Sequence, residues 1–380
     1  MMRIPLSSPD IDEDDIAAVT SVLRTPQLSI GPVQELFEKE FARYVGCRHA
    51  VAVSSGTAGL HLALLAIGVG LGDEVIVPSF TFIAAANAIR YVGAKPVFVD
   101  IEAGTLNMDP ERVEAAVTSR TRALMVVHTF GVPANLTRLL AVAAHHNLRV
   151  IEDACEAIGA EHDGRKVGTF GDAGVFGFYP NKQITTGEGG MLVTNDPAIA
   201  ATAHALRNHG RADSRDWLEH SVLGYNYRLS EMNCALGLAQ LRRIDAILAA
   251  RSSRAALYDC QLRGKGGLVL PALRVPDGRV SWFTYVVRLR EGSTAVQRDA
   301  VAWKLQEQGI GCGRYFAPIH WQGAYISAGF GELVLEVTES TASRTLALPF
   351  FNRISEDQVA EVSIRLLDAI EAAGAMSSTY

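Results

Sequence analysis

The sequence predicts an α/β fold: a three-layer, doubly wound and mainly parallel sheet, followed by a smaller C-terminal α/β domain. Two observations predict it. Short apolar runs with strand character alternate with stretches of helical periodicity over the first 150 residues, and the texture changes after a long helical stretch that ends near Ala250. Alternation of this kind implies parallel strands joined by crossover helices.

After an N-terminal arm of residues 1–12, an amphipathic helix is expected from Glu13 to Leu23. Strand-like runs follow, with helical patterns between them: His49 to Val53 and then Leu60 to Ile67, Glu74 to Val77 and then Ala84 to Tyr91. Pro96 to Val99 comes next, then Ala123 to Val127, Leu136 to His146 and Arg149 to Ile151. Ligands of such sheets gather at the carboxyl ends of the strands. Asp153 and the turn Ser54-Ser55-Gly56-Thr57 stand at two of these ends. A single helix from Ser230 to Ala250, with Leu236, Leu238, Leu241, Ile244 and Leu248 along it, is expected to lead out of the large domain (13–250) into the small one (251–380). There the turns Gly264-Lys265-Gly266-Gly267 and Pro276-Asp277-Gly278 precede a strand within Trp282 to Leu289 and helices from Ala295 to Gln308 and from Ser355 to Ala372. Met376 to Tyr380 reads as a frayed tail.

At 380 residues, 48% hydrophobic and 20% charged, the chain can bury a large core. A net charge of −6 supplies no basic field for nucleic acid or anionic lipid, so a phosphate-bearing ligand must be gripped locally. Met1-Met2-Arg3-Ile4-Pro5 lacks the charged-then-apolar pattern of a signal peptide, and no apolar run approaches the roughly 18 residues that span a bilayer. A cytoplasmic protein without membrane contact is expected. The five cysteines are widely spaced, with no Cys-x-x-Cys pair, which argues for reduced thiols. His145-His146 and His204/His209 have no carboxylate or cysteine at ligand spacing, so no metal is expected.

The most informative segment is Phe178-Tyr179-Pro180-Asn181-Lys182-Gln183-Ile184-Thr185-Thr186-Gly187-Glu188-Gly189-Gly190, which sets one lysine in an apolar, glycine-closed stretch shortly after Ile151-Glu152-Asp153-Ala154. Pyridoxal 5′-phosphate (PLP) needs such a pair: an amine to bond its aldehyde carbon, and a carboxylate to keep its pyridine nitrogen protonated so that the ring can accept electrons. Lys182 and Asp153 fit these two roles. Ser55-Gly56-Thr57 precedes a helix whose free N–H groups and positive end favour a phosphate, and Gly56 lets the backbone come close. Glu156, three residues after Asp153, can face the same ring if the turn between them is helical.

These segments resemble the DegT/DnrJ/EryC1/StrS sugar aminotransferase family of fold-type I PLP enzymes. The likeness runs in order through Ile4-Pro5, Gly31, Phe37-Glu38, Ser54-Ser55-Gly56-Thr57, Pro78-Ser79-Phe80-Thr81-Phe82, Glu152-Asp153-Ala154, the lysine segment, Asn208-His209-Gly210, Gly224-Tyr225-Asn226-Tyr227-Arg228 and Leu348-Pro349. It implies catalysis by Lys182 and Asp153 and a phosphate turn at Ser55, Gly56 and Thr57. Phe82, rather than Phe80, is expected flat against the cofactor, and Glu156 near its ring hydroxyl, where many relatives have glutamine or histidine. Gly177 stands where many relatives have a serine that helps hold the phosphate, so one hydroxyl is missing. Asn226 matches an asparagine that reaches the cofactor phosphate of a neighbouring subunit, which implies a homodimer with shared active sites. Tyr315, His320 and Tyr325 resemble a Tyr-x-Pro-x-His pattern at the substrate mouth.

The resemblance further implies an amino donor, glutamate, that leaves as 2-oxoglutarate, PLP cycling through pyridoxamine 5′-phosphate, and a nucleotide-linked keto sugar as acceptor. Relatives acting at C3 more often carry Gly-Asp-Gly-Gly where this chain has Gly187-Glu188-Gly189-Gly190, which favours C4 of a 4-keto-6-deoxyhexose. A C3 keto-sugar, cyclitol or antibiotic-precursor aminotransferase and a non-catalytic PLP-binding regulator are the alternatives. A 3-dehydratase is disfavoured, because that branch has histidine at the position of Lys182.

Overall fold

The computed structural model describes residues 2–211, 219–276 and 278–376, so residues 377–380 of the expected tail and the centre of the Pro276-Asp277-Gly278 turn lie outside the described residues. Helix α1 (Glu13–Leu23) starts where the sequence places it. The Asp12 carboxylate accepts the Asp15 amide and the Asp15 carboxylate accepts the Asp12 amide, a reciprocal cap. Helix α2 (Pro32–Val45) opens with proline, which lacks the N–H that a first turn leaves unused, and closes at Gly46 in the left-handed region.

Seven strands build the main sheet: β1 (His49–Val53), β2 (Glu74–Pro78), β3 (Lys95–Val99), β4 (Thr121–Val127), β5 (Arg149–Asp153), β6 (Ala173–Gly177) and β7 (Gly190–Thr194). Their order is β1-β7-β6-β5-β4-β2-β3. Neighbours run parallel except around β7, which is antiparallel to both β6 and β1. The helices between them are α3 (Gly56–Ala66), α4 (Ala84–Tyr91), α5 (Pro110–Ala115), α6 (Leu136–His145) and α7 (Pro197–Arg207).

Residues along each strand alternate between two cores, as the period of two requires. Ala50, Ala52, Leu124, Val126 and Val150 pack on one face with Phe37 and Phe41 of α2 and Leu136 and Leu139 of α6. Val51, Val53, Met125, Val127 and Ile151 pack on the other with Leu60 of α3, Ile89 of α4 and Leu206 of α7. Helices thus cover both faces, giving the expected three layers. Phe41, fully buried and edge-on to Phe37, Phe176 and Phe178, anchors the first core. Burying one such ring is worth about 1.5–3 kcal/mol relative to leaving it in water.

The expected helix from Ser230 to Ala250 is two helices, α8 (Glu231–Arg242) and α9 (Ile244–Leu262). The backbone leaves helical geometry at Arg243, whose guanidinium is tied to Asp10, Asp12 and Asp15 at 3.2, 3.2 and 2.7 Å. These long-range ion pairs have no local signature, so helical periodicity reads straight through the break. Helix α9 then enters a third core with Ala255, Tyr258 and Leu262. That core also holds β8 (Tyr285–Arg288) paired antiparallel with β9 (Thr345–Leu348), the helices α10 (Ala295–Glu307) and α12 (Glu356–Met376), and Ile4 from the opening of the chain. Ile4 pairs with Ile310, its amide donating to the Gly309 carbonyl at 3.0 Å and its carbonyl accepting the Gly311 amide at 2.8 Å. Helix α11 (Glu336–Ala342) lies just ahead of β9.

Among the described residues no helix is long and apolar enough to cross a membrane, and no group of three or more His, Cys, Asp or Glu side chains could hold a metal ion.

Candidate active site

Strand register builds the site. Asp153, the last residue of β5, sits opposite Val127 of β4 on one side and Val175 of β6 on the other. Gly177, which ends β6, pairs with Gly190, which opens β7, and Gly190 pairs in turn with Val53 at the end of β1. One edge of the sheet therefore carries the end of β5, the entry and exit of the lysine segment and the start of the Ser54–Thr57 turn. The close approach explains Gly190. A Cβ there would lie 2.7 Å from the Ser55 carbonyl carbon and oxygen and 2.8 Å from the Gly56 nitrogen, so any side chain would push the lysine segment off the turn.

Ser55 caps α3, its hydroxyl accepting the Ala58 amide at 3.1 Å and its carbonyl accepting the Gly59 amide. The amides of Gly56 and Thr57 are left without a partner among the described residues, at the positive end of an eleven-residue helix. Phe82 stands 60% exposed while Phe80 is fully buried against Phe130 and Phe316. Of the two aromatics, only Phe82 offers a ring face to a ligand.

Lys182 is almost enclosed, with 14% of its side chain exposed. Its Nζ lies 3.4 Å from Glu156 Oε1 and 4.0 Å above the centre of the Phe283 ring. Glu156 is itself gripped: Oε2 accepts the Phe130 amide at 3.0 Å and its carbonyl accepts Gln183 Nε2 at 2.7 Å. Phe130 makes that contact from a left-handed backbone (φ 57°), a conformation unusual for a bulky side chain and found where structure is held for function. Burial pushes the Glu156 carboxyl above the usual range and the Asp153 charge adds to it, against the opposing pull of Lys182 and the Phe130 amide. The segment between Asp153 and Glu156 is a turn, with the Ala157 amide on the Ala154 carbonyl, and sets Glu156 between the Asp153 charge and Lys182. Asp153 Oδ1 accepts the Cys155 amide at 3.1 Å. Its neighbour Glu152 holds the sheet edge from beneath, bonded to His128 Nε2 at 3.0 Å and to the amides of Gly168, Phe170 and Gly171.

Gly177 has a steric reason. A Cβ there would lie 3.3 Å from Cys155 Cβ and 3.4 Å from its Sγ, and Cys155 Sγ also fills the space where Gly56 would carry a Cβ. The thiol occupies volume that a residue-177 side chain would need. Gly177→Ser is expected to destabilise the apoprotein by about 1 kcal/mol, the low end for overpacking. Denaturant unfolding should show that loss, and its partial recovery in Cys155→Ala/Gly177→Ser, which removes Sγ and keeps Cβ; a loss undiminished in both that variant and Cys155→Gly/Gly177→Ser would refute the steric account.

Tyr315 is at the site, stacked on Phe283 at 6.2 Å, and its phenol is pushed up by burial and then by the Glu156 charge. His320 and Tyr325 lie deeper. Both are fully buried: His320 Nδ1 meets Ser79 Oγ at 2.7 Å, and the Tyr325 hydroxyl donates to Asn87 Oδ1 at 2.9 Å beneath Phe98 and Phe330. As placed, neither has surface with which to touch a substrate. Asn226 is exposed, in an isolated antiparallel bridge with Asn208, and Arg228 donates to Asn208 Oδ1 at 3.1 Å.

Sequence reasoning missed Phe283, Gln183 and Cys155. Phe283 follows Trp282 of the third core but packs in a separate cluster with Phe80, Phe130 and Val286, and carries no local signal. Gln183 follows Lys182 directly, and its amide ties the lysine segment to Glu156 and to Ser281 Oγ at 3.0 Å. The glycine at 177 was the one available hint of Cys155.

Comparison with known proteins gives the family. The family model of the DegT/DnrJ/EryC1/StrS aminotransferases matches residues 9–367. The chain is 41% identical to a GDP-perosamine synthase of Caulobacter vibrioides over 97% of this chain and 98% of that protein. It is 39% identical to the spore coat polysaccharide biosynthesis protein SpsC of Bacillus subtilis, with the same coverage of 97% and 98%. A sugar aminotransferase of Streptococcus pneumoniae, Spr1654, solved in its pyridoxamine phosphate form, superposes with a TM-score of 0.95 at 27% identity, over 99% of this chain and all of that one. The chain belongs to the DegT/DnrJ/EryC1/StrS family of PLP-dependent sugar aminotransferases.

Proposed function

We propose that this enzyme moves an amino group from L-glutamate to C4 of a nucleotide-activated 4-keto-6-deoxyhexose, with PLP cycling through pyridoxamine 5′-phosphate. The observation that carries it is the enclosed Lys182 amine, between Glu156 and Phe283, on the same sheet edge as Asp153 and the open amides of Gly56 and Thr57. The residues fit the cofactor: the α3 amides suit its phosphate, the exposed Phe82 ring its face, and the Asp153 carboxylate its pyridine nitrogen. When bound, PLP supplies the electron sink for the pair left as the Cα–H bond of the amino donor breaks.

The chain's own residues do the rest. Lys182 Nζ anchors the aldehyde carbon and, once free, takes the proton from the donor Cα. Asp153 holds a proton on the ring nitrogen, and Ser55 fixes the turn that presents the Gly56 and Thr57 amides. Gly177 leaves room for Cys155 beside that turn. Tyr315 stands beside Glu156 where an acceptor would enter. The exposed Asn226 suits a homodimer in which each subunit completes its partner's phosphate site, and a cytoplasmic setting suits a nucleotide-sugar substrate. Support for that substrate class comes from the relative named GDP-perosamine synthase.

The test is a glutamate-dependent assay over a panel of nucleotide keto sugars, with NMR of the product to locate the nitrogen. Nitrogen at C4 is expected. Nitrogen at C3 overturns the regiochemistry, and turnover of a free cyclitol alone overturns the substrate class.

A further inference from the structure

The Lys182 amine does not point into open space. It lies 3.4 Å from Glu156 Oε1 and 4.0 Å over the Phe283 ring. Each of these two groups is held from behind by something that takes no part in cofactor binding. Glu156 is held by the Phe130 amide and by Gln183. Phe283 is 3% exposed, lies parallel to the Tyr315 ring, and has its backbone clamped by Arg251. Arg251 Nη2 donates to the Phe283 carbonyl at 2.7 Å and Nε to the Trp282 carbonyl at 2.6 Å. Its remaining nitrogen donates to Asn352 Oδ1 at 2.8 Å, and Asn352 Nδ2 reaches Asp10 Oδ2 at 3.0 Å. A buried guanidinium with no carboxylate in direct contact among the described residues is an unusual way to fix two carbonyls. The ring it sets is the one beneath the catalytic amine.

We propose that Phe283 and Glu156 form a holding site for the Lys182 amine while it is detached from the cofactor, and that Arg251 is the positioning residue that sets the ring. This rests on the reading of the site given above, in which the lysine is joined to PLP in one half of the cycle and free in the other. A carboxylate beside the amine and an aromatic face beneath it both stabilise a free ammonium, whose three N–H donors and localised charge are given up when the nitrogen is bonded to the cofactor. The holding site therefore favours the state with the free lysine. By linkage, it tilts the protein's relative affinity away from PLP and towards pyridoxamine phosphate.

The experiment titrates apoprotein with PLP and, separately, with pyridoxamine 5′-phosphate, following protein fluorescence, and takes the ratio of the two dissociation constants. Phe283→Leu should shift that ratio towards PLP by about thirtyfold, the size of one desolvated cation–π contact. Phe283→Tyr keeps the ring face and should match the parent. Arg251→Lys should shift the ratio in the same direction as Phe283→Leu, and Arg251→Lys/Phe283→Leu should shift it no further than Phe283→Leu alone, since arginine acts through the ring. If Phe283→Leu does not fold, Phe283→Met carries the same comparison. A merely structural lesion weakens both ligands equally and leaves the ratio where it was, and that result overturns the holding site, as does a shift towards pyridoxamine phosphate. A parent protein that binds neither ligand sinks the reading of the site itself.

Discussion

Lys182→Ala is expected to abolish the yellow absorbance of the lysine-linked cofactor and to lower turnover by roughly 10³-fold or more. The magnitude follows from losing two roles at once, since general acid–base catalysis alone contributes about 10²–10⁴-fold and the covalent anchor goes with it. Alanine leaves the surroundings in place: Glu156 keeps the Phe130 amide and Gln183, and Phe283 keeps its clamp. The variant should therefore fold, and should still bind pyridoxamine 5′-phosphate, because the α3 amides and Asp153 are untouched. Absorbance spectra and single-turnover kinetics check this. Turnover near that of the parent would remove Lys182 from the chemistry.

Asp153→Asn is the second large effect. An amide has nearly the shape of the carboxylate, and its oxygen can go on accepting the Cys155 amide, so the end of β5 should be undisturbed. It has no charge with which to keep a pyridine nitrogen protonated. The expected loss in turnover is about 10²–10³-fold, as for removal of one preorganised electrostatic partner. Cofactor binding should weaken far less, because the phosphate is gripped elsewhere. Equal turnover in the two proteins, with the cofactor bound, would show that the ring nitrogen is not held by this residue.

Much of this arrangement is legible in the chain because it is local or periodic. Most helices and strands from Glu13 to Asp153 follow from apolar spacing, α2 and α5 excepted, and Lys182, Asp153 and the Ser55–Thr57 turn stand out because their chemistry demands those residue types. Strands β6 and β7 escape, since Gly174, Gly177 and Gly190 interrupt their apolar runs. Each is glycine because another segment passes too close for a Cβ, a fact of three dimensions. The break at Arg243 escapes for a similar reason, being tied to acidic groups at the start of the chain. Orientation is what the sequence does not carry for His320 and Tyr325. Their motif names the residues without saying which way they face, and Ser79 and Asn87 draw them inward. Phe283 and Arg251 reach the lysine from a different core, and no window on the lysine segment could reveal them.

The pairing of Ile4 with Ile310 has a consequence for biosynthesis. Ile4 leaves the ribosome long before Ile310, and the β-bridge and apolar pocket that receive it are built from residues beyond 250. Until then Ile4 and its neighbours have nowhere to dock. That core can close only after the residues around Ile310 have been made, and a polypeptide cut to begin at Arg251 would lack Ile4, a piece of its interior.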